Sequence, residues 1–277
     1  MALNLMYITN NPQIALIAEA SGVDRIFVDM EYIGKTLRQG GMDTVQSHHT
    51  LADVKKVSGV LTKSEMLVRI NPIHEATSEY ISSKEEIDKA IENGAQILML
   101  PYFKTVLDVQ KFVDIVDGRA KTMPLLETPE AAELIDDIVR IQGIDELFIG
   151  LNDLSLGCGK KFMFELLADG TVEKLTDIIK NKGIPFGFGG LASLNGGLLP
   201  GNLVLKEHYR LGSSSVILSR SFCNVNHQTD LAKIEKIFIN GVAEIRNYEQ
   251  ILLGMDDYGV NKKKVREAIK KIVEESI

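Results

Sequence analysis

Two acidic residues in the middle of the chain could bind a divalent metal ion. Glu127 comes directly after the apolar residues 124–126, and Asp153 lies three residues after the apolar run 148–150. If both runs are strands, the two acids stand at neighbouring strand ends. Their carboxylate oxygens then suit Mg²⁺ or Mn²⁺, with water and substrate oxygens completing the coordination. The residues alone leave an alternative open, in which Asp153 caps a helix and Glu127 is a solvated loop acid.

Charged side chains interrupt two further apolar runs. Arg69 lies within residues 67–72, LVRINP, where it must face a buried acid or an anionic oxygen, because an unpaired buried guanidinium is costly. Asp29 and Glu31 alternate with apolar neighbours and therefore share one face of a strand. Each of these acids could support a water molecule on the metal or orient Arg69. Bonding to nearby backbone amides is the alternative.

The elements that must position these residues are predicted by an alternation of short apolar runs with amphipathic stretches. Thr128 and Pro129 indicate the start of one helix, and residues 83–86 indicate a capping box at the start of another. Strands joined by crossovers of one hand build a parallel sheet, and eight strands make a barrel. We therefore expect an α/β protein with a TIM (β/α)8 barrel and additional C-terminal helices, with a doubly wound open sheet as the alternative. The expected strands span residues 3–8, 25–31, 66–70, 96–100, 122–126, 147–150, 185–189 and 214–219.

The chain divides into two expected regions. The barrel takes residues 1–223, and a helical extension takes residues 224–277, where Leu231, Ile234 and Phe238 begin a series at helical spacing. These apolar positions need a surface to cover. Either the barrel or a neighbouring subunit could supply it, and we expect a homo-oligomer.

Composition excludes several classes of partner. The formal net charge of −7 argues against nucleic acid or an anionic membrane surface, since both select for clustered Lys and Arg. No apolar run approaches membrane-spanning length and the N-terminus lacks a signal-peptide pattern, so we expect a cytoplasmic protein. Cys158 and Cys223 are far apart and indicate neither a disulfide nor a structural zinc site.

Four segments together resemble the HpcH/HpaI aldolase and citrate lyase beta-subunit family. They are VDME at residues 28–31, LVRINP at 67–72, LETPEA at 126–131 and FIGLNDL at 148–154. Their order and approximate spacing match over most of residues 20–220. The resemblance implies a metal-dependent barrel in which Glu127 and Asp153 bind Mg²⁺, Mn²⁺ or a similar ion. It also implies that Arg69 faces the keto oxygen of the substrate.

The reaction implied by the resemblance makes or breaks a carbon–carbon bond next to a carbonyl group. We expect an aldolase that acts on a 2-keto acid through a pyruvate- or oxaloacetate-type enolate, with an aldehyde as the second reactant. A lyase of acyl-coenzyme A thioesters is one alternative, because residues 69–72 resemble that version of the motif slightly better. A non-catalytic ligand-binding protein on the same scaffold is another.

One position departs from the family pattern. Tyr32 follows the Asp-x-Glu motif where the aldolases typically have a His that takes part in proton transfer. An unperturbed Tyr is a much weaker base near neutral pH. The base could instead be a hydroxide on the metal or one of the adjacent histidines His48 and His49. Asp29, Glu31 and Tyr32 stay candidates for supporting the site or for proton transfer.

Several further residues are candidates for substrate binding. Gly189 lies in the glycine run 187–190, and Ser219 and Arg220 follow the eighth expected strand, in the region where many barrels bind anions. Asn152 precedes the candidate metal ligand Asp153. The glycine run could instead relieve crowding at the strand end.

Overall fold

The computed structural model describes residues 2–35, 48–225, 227–255 and 258–275, and within them eight strands form the inner wall of a closed barrel. The strands are β1 Asn4–Ile8, β2 Arg25–Asp29, β3 Glu65–Arg69, β4 Ile97–Leu100, β5 Lys121–Leu126, β6 Leu147–Ile149, β7 Phe186–Leu191 and β8 Ser215–Leu218. Each strand pairs in parallel with the next, and β8 pairs with β1. The predicted TIM barrel is confirmed, and the open sheet is excluded.

Helices follow the strands and cover the outside of the barrel. Those described are α1 Pro12–Ala20, α2 Leu51–Ser58, α3 Ser83–Glu92, α4 Val106–Val116, α5 Pro129–Glu133, α6 Ile135–Ile138, α7 Leu151–Gly157, α8 Glu165–Ala168, α9 Thr171–Asn181, α10 Gly201–Leu211, α11 Leu231–Leu253 and α12 Gly259–Glu275. As predicted, Thr128 caps α5 by accepting a hydrogen bond from the amide of Ala131 at 3.1 Å. The capping box predicted at residues 83–86 is wrong, because Ser82 caps α3 and Glu86 is buried against Asn71.

The barrel interior is apolar in its middle and closed by ion pairs at its N-terminal end. Side chains alternate along each strand, so every second residue points inward. The middle layer consists of Met6, Phe27, Leu67, Ile97, Met99, Met123, Leu125 and Phe148. Below it, Arg25 reaches from β2 to Glu146, with Nη1 2.8 Å from Oε2, and its Nε lies 3.0 Å from Glu65. These pairs close the floor, so the open end is the C-terminal end of the strands.

The glycine-rich strand β7 fits closely between its neighbours. A Cβ on Gly187 would lie 2.6 Å from Cε2 of Phe148 and would also contact Ser215 on β8. The β7–β8 pairing shifts register between Gly187 and Gly190. Glycine therefore relieves crowding where β7 and β8 meet. This is one of the two roles that the sequence allows for the glycine run, the other being substrate binding.

The two C-terminal helices pack on the barrel of the same chain. α11 packs against α1, and α12 packs against α8 and α10. Arg246 on α11 donates hydrogen bonds to the carbonyl oxygen of Leu3 at 2.8 Å and to Asp24 at 2.7 Å. Ile239 and Ile251 remain exposed on α11, and the homo-oligomer stays a prediction. Within the described residues, no helix combines the length and apolar character needed to cross a membrane.

A buried histidine on α10 packs against β7. The ring of His208 stacks on Phe188 with 3.9 Å between ring centres and 3° between planes, and its Nδ1 lies 2.9 Å from the hydroxyl of Ser213. His208 has no exposed surface. This burial lowers the pKa of His208 to about 3, because the charged imidazolium would lose its hydration there.

The pKa of His208 predicts a specific acid sensitivity of the fold. An unfolded histidine titrates near pH 6.5, so between about pH 6.5 and 3 the unfolded state binds a proton that the folded state does not. Stability should therefore fall as pH decreases, with a contribution of up to about 1.4 kcal/mol per pH unit from this residue. The free energy of unfolding, measured in urea from pH 7.5 to 4.5, should show a shallower slope in His208→Gln. Parallel slopes in the two proteins would contradict the prediction.

Candidate active site

A cavity of about 250 Å³ opens at the C-terminal end of the barrel. Its charged lining residues come from the end of β3, from the segments that follow β2 and β5, and from α7 after β6; they are Lys35, Arg69, Glu127 and Asp153. Its apolar lining residues are Met99, Leu125, Leu151, Phe148, Met163 and Ile217. The structure therefore brings both candidate metal ligands and the candidate keto-oxygen ligand to one cavity.

Glu127 is held in place by a strained neighbour. Tyr102, two residues after β4, has a φ of 48°, in the left-handed region that residues other than glycine rarely adopt. In this conformation its amide donates a hydrogen bond to Oε1 of Glu127 at 2.9 Å. Burial, together with the charges of Glu31 and Asp153, raises the pKa of Glu127 to about 8. A positive charge placed beside the Glu127 carboxyl group would therefore stabilise its ionised form.

Gly150 makes room for the Glu127 carboxyl group. A Cβ at this position would lie 2.8 Å from Cβ of Glu127 and 2.9 Å from its Oε2. Gly150 also precedes α7, which carries Asp153 in its first turn. A glycine directly after β6 therefore lets the two candidate ligands share one cavity.

Arg69 and Asp29 form a bidentate ion pair at the ends of β3 and β2. Arg69 Nε donates to Oδ1 of Asp29 at 2.8 Å, and one terminal nitrogen donates to Oδ2 at 2.7 Å. Glu31 lies 3.5 Å from the same Nε. Burial alone would raise the pKa of Asp29, but the charges and hydrogen bonds of Arg69 and Lys35 hold it well below its usual range. Asp29 therefore orients Arg69, and its Oδ1 also accepts a hydrogen bond from the backbone amide of Glu31 at 3.2 Å, so two of the three roles that the sequence allows are present together.

The sequence-based candidates do not include Lys35. Its side chain is buried, and its ammonium nitrogen lies 2.9 Å from Oδ2 of Asp29 and 3.4 Å from Oε2 of Glu31. One signal was available in the sequence, because Lys35 follows Glu31 by four residues, the spacing of an ion pair on a helical turn. That signal is common on solvated surfaces and does not by itself indicate an active site.

Tyr32 is not among the residues that line the cavity of the acid pair. Its ring packs against Tyr80, with 5.5 Å between ring centres, and 44% of its surface is exposed. The backbone amides of Tyr32 and Ile33 both donate to Oδ1 of Asn71 at 3.0 Å, and Asn71 in turn donates to buried Glu86. Burial and the charge of Glu86 raise the pKa of Tyr32. The side chain at the position of the family histidine is therefore outside the cavity.

The two candidate histidines differ in position, and neither lines the cavity among the residues described there. His48 is exposed. His49 is partly buried, and its Nδ1 accepts a hydrogen bond from the backbone amide of Asp29 at 3.1 Å. Burial lowers the pKa of His49 despite the nearby charges of Asp29 and Asp53. His49 is thus a neutral ring that caps the end of β2.

The candidate substrate-binding residues separate into two groups. Asn152 and Gly189 line the cavity, and Asn152 Nδ2 lies 3.2 Å from Oδ1 of Asp153. Gly189 has a φ of 54°, and a Cβ there would lie 2.7 Å from a side-chain carbon of α7. Ser219 and exposed Arg220 follow β8 and are not among the described residues that line the cavity.

The donor set at this end of the barrel fits a divalent cation. Four carboxyl groups lie together with two cationic side chains. If all six groups are ionised, their formal charges sum to −2. The carboxyl groups belong to Asp29, Glu31, Glu127 and Asp153, and the cations are Lys35 and Arg69. Within the described residues there is no group of three or more His, Cys, Asp or Glu placed to hold a metal. Two carboxylates that leave further positions to water and substrate suit Mg²⁺ or Mn²⁺ better than Zn²⁺.

Comparison with known proteins identifies the family. The model for HpcH/HpaI aldolase/citrate lyase matches residues 4–166, which is more than half of the chain. The chain belongs to the HpcH/HpaI aldolase/citrate lyase family. The resemblance of the four motifs is thereby confirmed, and so is the predicted enzyme class, since the aldolases and citrate lyases of this family are carbon–carbon lyases.

Individual relatives are distant. A 4-hydroxy-4-methyl-2-oxoglutarate aldolase from Chaetomium globosum is 21% identical over 216 residues, which covers 65% of this chain and 72% of that protein. An HpcH/HpaI aldolase from Desulfitobacterium hafniense matches with a TM-score of 0.60 and 18% identity, over 88% of this chain and 93% of that chain. The citrate lyase beta subunit from M. tuberculosis, solved in complex with oxaloacetate and magnesium, matches with a TM-score of 0.55 and 15% identity, over 86% of this chain and 97% of that chain. At these identities the two solved structures support the fold alone.

The Gly150 contacts predict the effect of adding one methyl group. Gly150→Ala should weaken Mn²⁺ binding, measured by electron paramagnetic resonance titration, at least about tenfold, because the new Cβ would displace the Glu127 carboxyl group. The backbone of Gly150 is extended, with φ −81° and ψ 91°, so alanine is not strained there. Gly254→Ala is the matched control, because its φ is −95° and a Cβ would have only one ordinary contact, at 3.7 Å. Equal affinities in Gly150→Ala and the wild type would refute the steric role.

The Arg69–Asp29 pair predicts a large loss of stability when one partner loses its charge. Asp29→Asn should lower the free energy of unfolding by about 3 kcal/mol, since Arg69 and Lys35 would remain buried without their shared counter-charge. Glu85→Gln removes the charge of a half-exposed partner of Lys89 and should lower the free energy of unfolding by less than about 1 kcal/mol. Urea unfolding of both variants measures the difference. Similar losses in the two variants would contradict this account of the buried pair.

Proposed function

We propose that the protein is a divalent-metal-dependent aldolase that makes or breaks a carbon–carbon bond next to the keto group of a 2-keto acid. The observation that carries this proposal is the placement of Glu127, Asp153 and Arg69 around one cavity. The first two are the residues we assign to the metal. The third is the residue we assign to the keto oxygen.

The chemistry follows from the charges that face the cavity. Cleavage or condensation next to a keto group passes through an enolate, whose negative charge develops on the keto oxygen. Arg69 is a permanent cation held by the two hydrogen bonds that it donates to Asp29, so it needs little reorganisation to stabilise that oxygen. When bound at Glu127 and Asp153, a divalent ion would supply a Lewis acid for the carboxylate and keto oxygens of the substrate. Apolar residues around the cavity strengthen these electrostatic interactions by excluding water.

The known relatives support this substrate class. The relative from Chaetomium globosum is described as acting on 4-hydroxy-4-methyl-2-oxoglutarate, and the citrate lyase beta subunit is described with oxaloacetate and magnesium. Both compounds contain a 2-keto acid group. We infer a 2-keto acid as substrate and Mg²⁺ or Mn²⁺ as the metal.

The acyl-coenzyme A alternative loses part of its support in the structure. Asn71, in the segment that favours it in the sequence, uses its side chain to bind the backbone amides of Tyr32 and Ile33 and the carboxyl group of Glu86. These contacts give Asn71 a structural role that requires no acyl-coenzyme A ligand. The aldolase is therefore the function we propose.

Exchange of the methyl hydrogens of pyruvate with deuterium oxide tests the proposal without a second reactant. The wild-type protein with Mg²⁺ or Mn²⁺ should catalyse exchange, followed by proton NMR, and chelation of the metal should abolish it. Glu127→Gln and Asp153→Asn should each reduce the rate at least about a hundredfold, because each removes a charged ligand without changing side-chain size. Arg69→Met should reduce it by a similar factor, as expected for loss of a charged group at the enolate oxygen.

The controls separate the proposed function from the alternatives. Glu130→Gln changes a half-exposed acid that pairs with Lys104 near Glu127, and it should leave exchange unchanged. Undiminished exchange in Glu127→Gln or Asp153→Asn would disprove the metal assignment. Thermal stabilisation by pyruvate without exchange in the wild type would favour a binding protein. Exchange in acyl-coenzyme A esters but not in pyruvate would favour the thioester lyase.

A further inference from the structure

A second cavity, of about 190 Å³, meets the acid pair Glu127 and Asp153. We call it the side cavity, and we call the larger cavity of about 250 Å³ the main cavity. Apart from the two acids, the lining residues of the side cavity are uncharged, and they are Tyr102, Thr128, Pro129, Leu156 and Gly157. They belong to the segments that follow β4 and β5, to the start of α5 and to α7.

The acid pair separates the two cavities. Within the part of the chain that the structure describes, Glu127 and Asp153 line both cavities, and all the other lining residues of the two differ. The two oxygens of Glu127 also have different neighbours. Oε2 lies beside Gly150, which lines the main cavity, whereas Oε1 accepts the hydrogen bond of Tyr102, which lines the side cavity. The same two acids can therefore be reached from two differently lined spaces.

The side cavity meets solvent at the end of α7. Leu156 is 36% exposed, and Gly157 is also exposed. A Cβ on Gly157 would lie 2.7 Å from Cδ of Pro129, so glycine allows the end of α7 to approach the start of α5 closely. Leu156 is therefore the large apolar side chain at the outer edge of this cavity.

The main cavity presents positive charge to an entering ion. Arg69 and Lys35 line it, whereas their counter-charges Asp29 and Glu31 are not among the described residues that do so. An anionic substrate is attracted by this lining. A divalent cation that entered here would be repelled by the two cationic side chains before it reached the acid pair.

The side cavity presents the acid pair without such repulsion. No cationic side chain is among its described lining residues. A nearby cation, Lys104, has its nitrogen 5.4 Å from the centre of the Tyr102 ring, but it forms an ion pair with Glu130 at 2.8 Å. A cleft whose charged lining residues all have one sign increases the rate at which ions of the opposite sign enter.

We propose that the side cavity is the route by which a hydrated divalent cation reaches Glu127 and Asp153, while the main cavity admits the anionic substrate. This inference rests on the proposed function, because it takes the assignment of the two acids to the metal as given. A substrate in the main cavity leaves the side cavity open, so the metal and the substrate bind in either order. Leu156, at the outer edge, limits the rate of metal passage.

A bulky side chain on the route tests this inference with Mn²⁺ alone. A barrier slows the entry and the exit of an ion by the same factor and leaves its dissociation constant unchanged, because neither the free nor the bound state is altered. Leu156→Trp should therefore slow both the association and the dissociation of Mn²⁺ at least about tenfold. Stopped-flow mixing measures association, capture by an excess of a metallochromic chelator measures dissociation, and electron paramagnetic resonance titration measures the dissociation constant.

Met163→Trp is the matched control on the other route. Met163 is a partly buried apolar residue that lines the main cavity. Its replacement should leave both Mn²⁺ rates close to those of the wild type, while it weakens the binding of pyruvate. Slower Mn²⁺ exchange in Met163→Trp but not in Leu156→Trp, or equal slowing in both, would overturn the inference. Slower association in Leu156→Trp with an unchanged dissociation rate would also overturn it, because this pattern indicates damage to the metal site.

The outcomes separate this inference from the proposed function. If the wild type binds no Mn²⁺, or if Glu127→Gln binds it as tightly as the wild type, the metal assignment fails and the inference fails with it. If Mn²⁺ binds at Glu127 and its rates are the same in Leu156→Trp and the wild type, the route alone is overturned. Leu156→Phe replaces Leu156→Trp if the latter does not fold, and unchanged rates in that variant would equally overturn the route.

Discussion

The site depends on the bidentate ion pair between Arg69 and Asp29. A buried guanidinium without a partner would be prohibitively costly, and so would a buried carboxylate. Adjacent strands β2 and β3 bring the two groups into register, since Asp29 and Arg69 are directly paired across the sheet. The pair therefore fixes the direction of Arg69 before any substrate binds, and it also supplies the negative charge that lets Lys35 be buried nearby.

Small residues and unusual backbone conformations then place the opposing acids. Gly150 leaves the space that the Glu127 carboxyl group occupies, and Tyr102 turns its amide toward that carboxyl group at the expense of a strained φ angle. Neither residue contributes a side-chain charge to the cavity. Together they bring Glu127 close to Glu31 and Asp153, and the resulting concentration of negative charge favours the binding of a cation.

The sequence predicts the parts of the site that depend on strand periodicity. Glu127 and Arg69 could be placed at the open end of a barrel because inward-facing and outward-facing residues alternate and because all eight strands point the same way. Lys35 could not be placed in this way, because its position depends on how the chain folds back after β2. The position of Tyr32 could not be predicted from the sequence either, since it depends on the hydrogen bonds that the backbone amides of Tyr32 and Ile33 donate to Asn71, 39 residues after Tyr32.

The ion pairs of Arg25 with Glu146 and Glu65 have a consequence for the order of events in catalysis. They close the barrel below the apolar layer, so the cavity opens toward the C-terminal ends of the strands. If both reactants of the proposed condensation enter from that end, the one that binds deeper enters before the other. In the cleavage direction, the fragment nearer the opening then leaves before the deeper one. We therefore expect sequential, ordered steady-state kinetics for the proposed reaction.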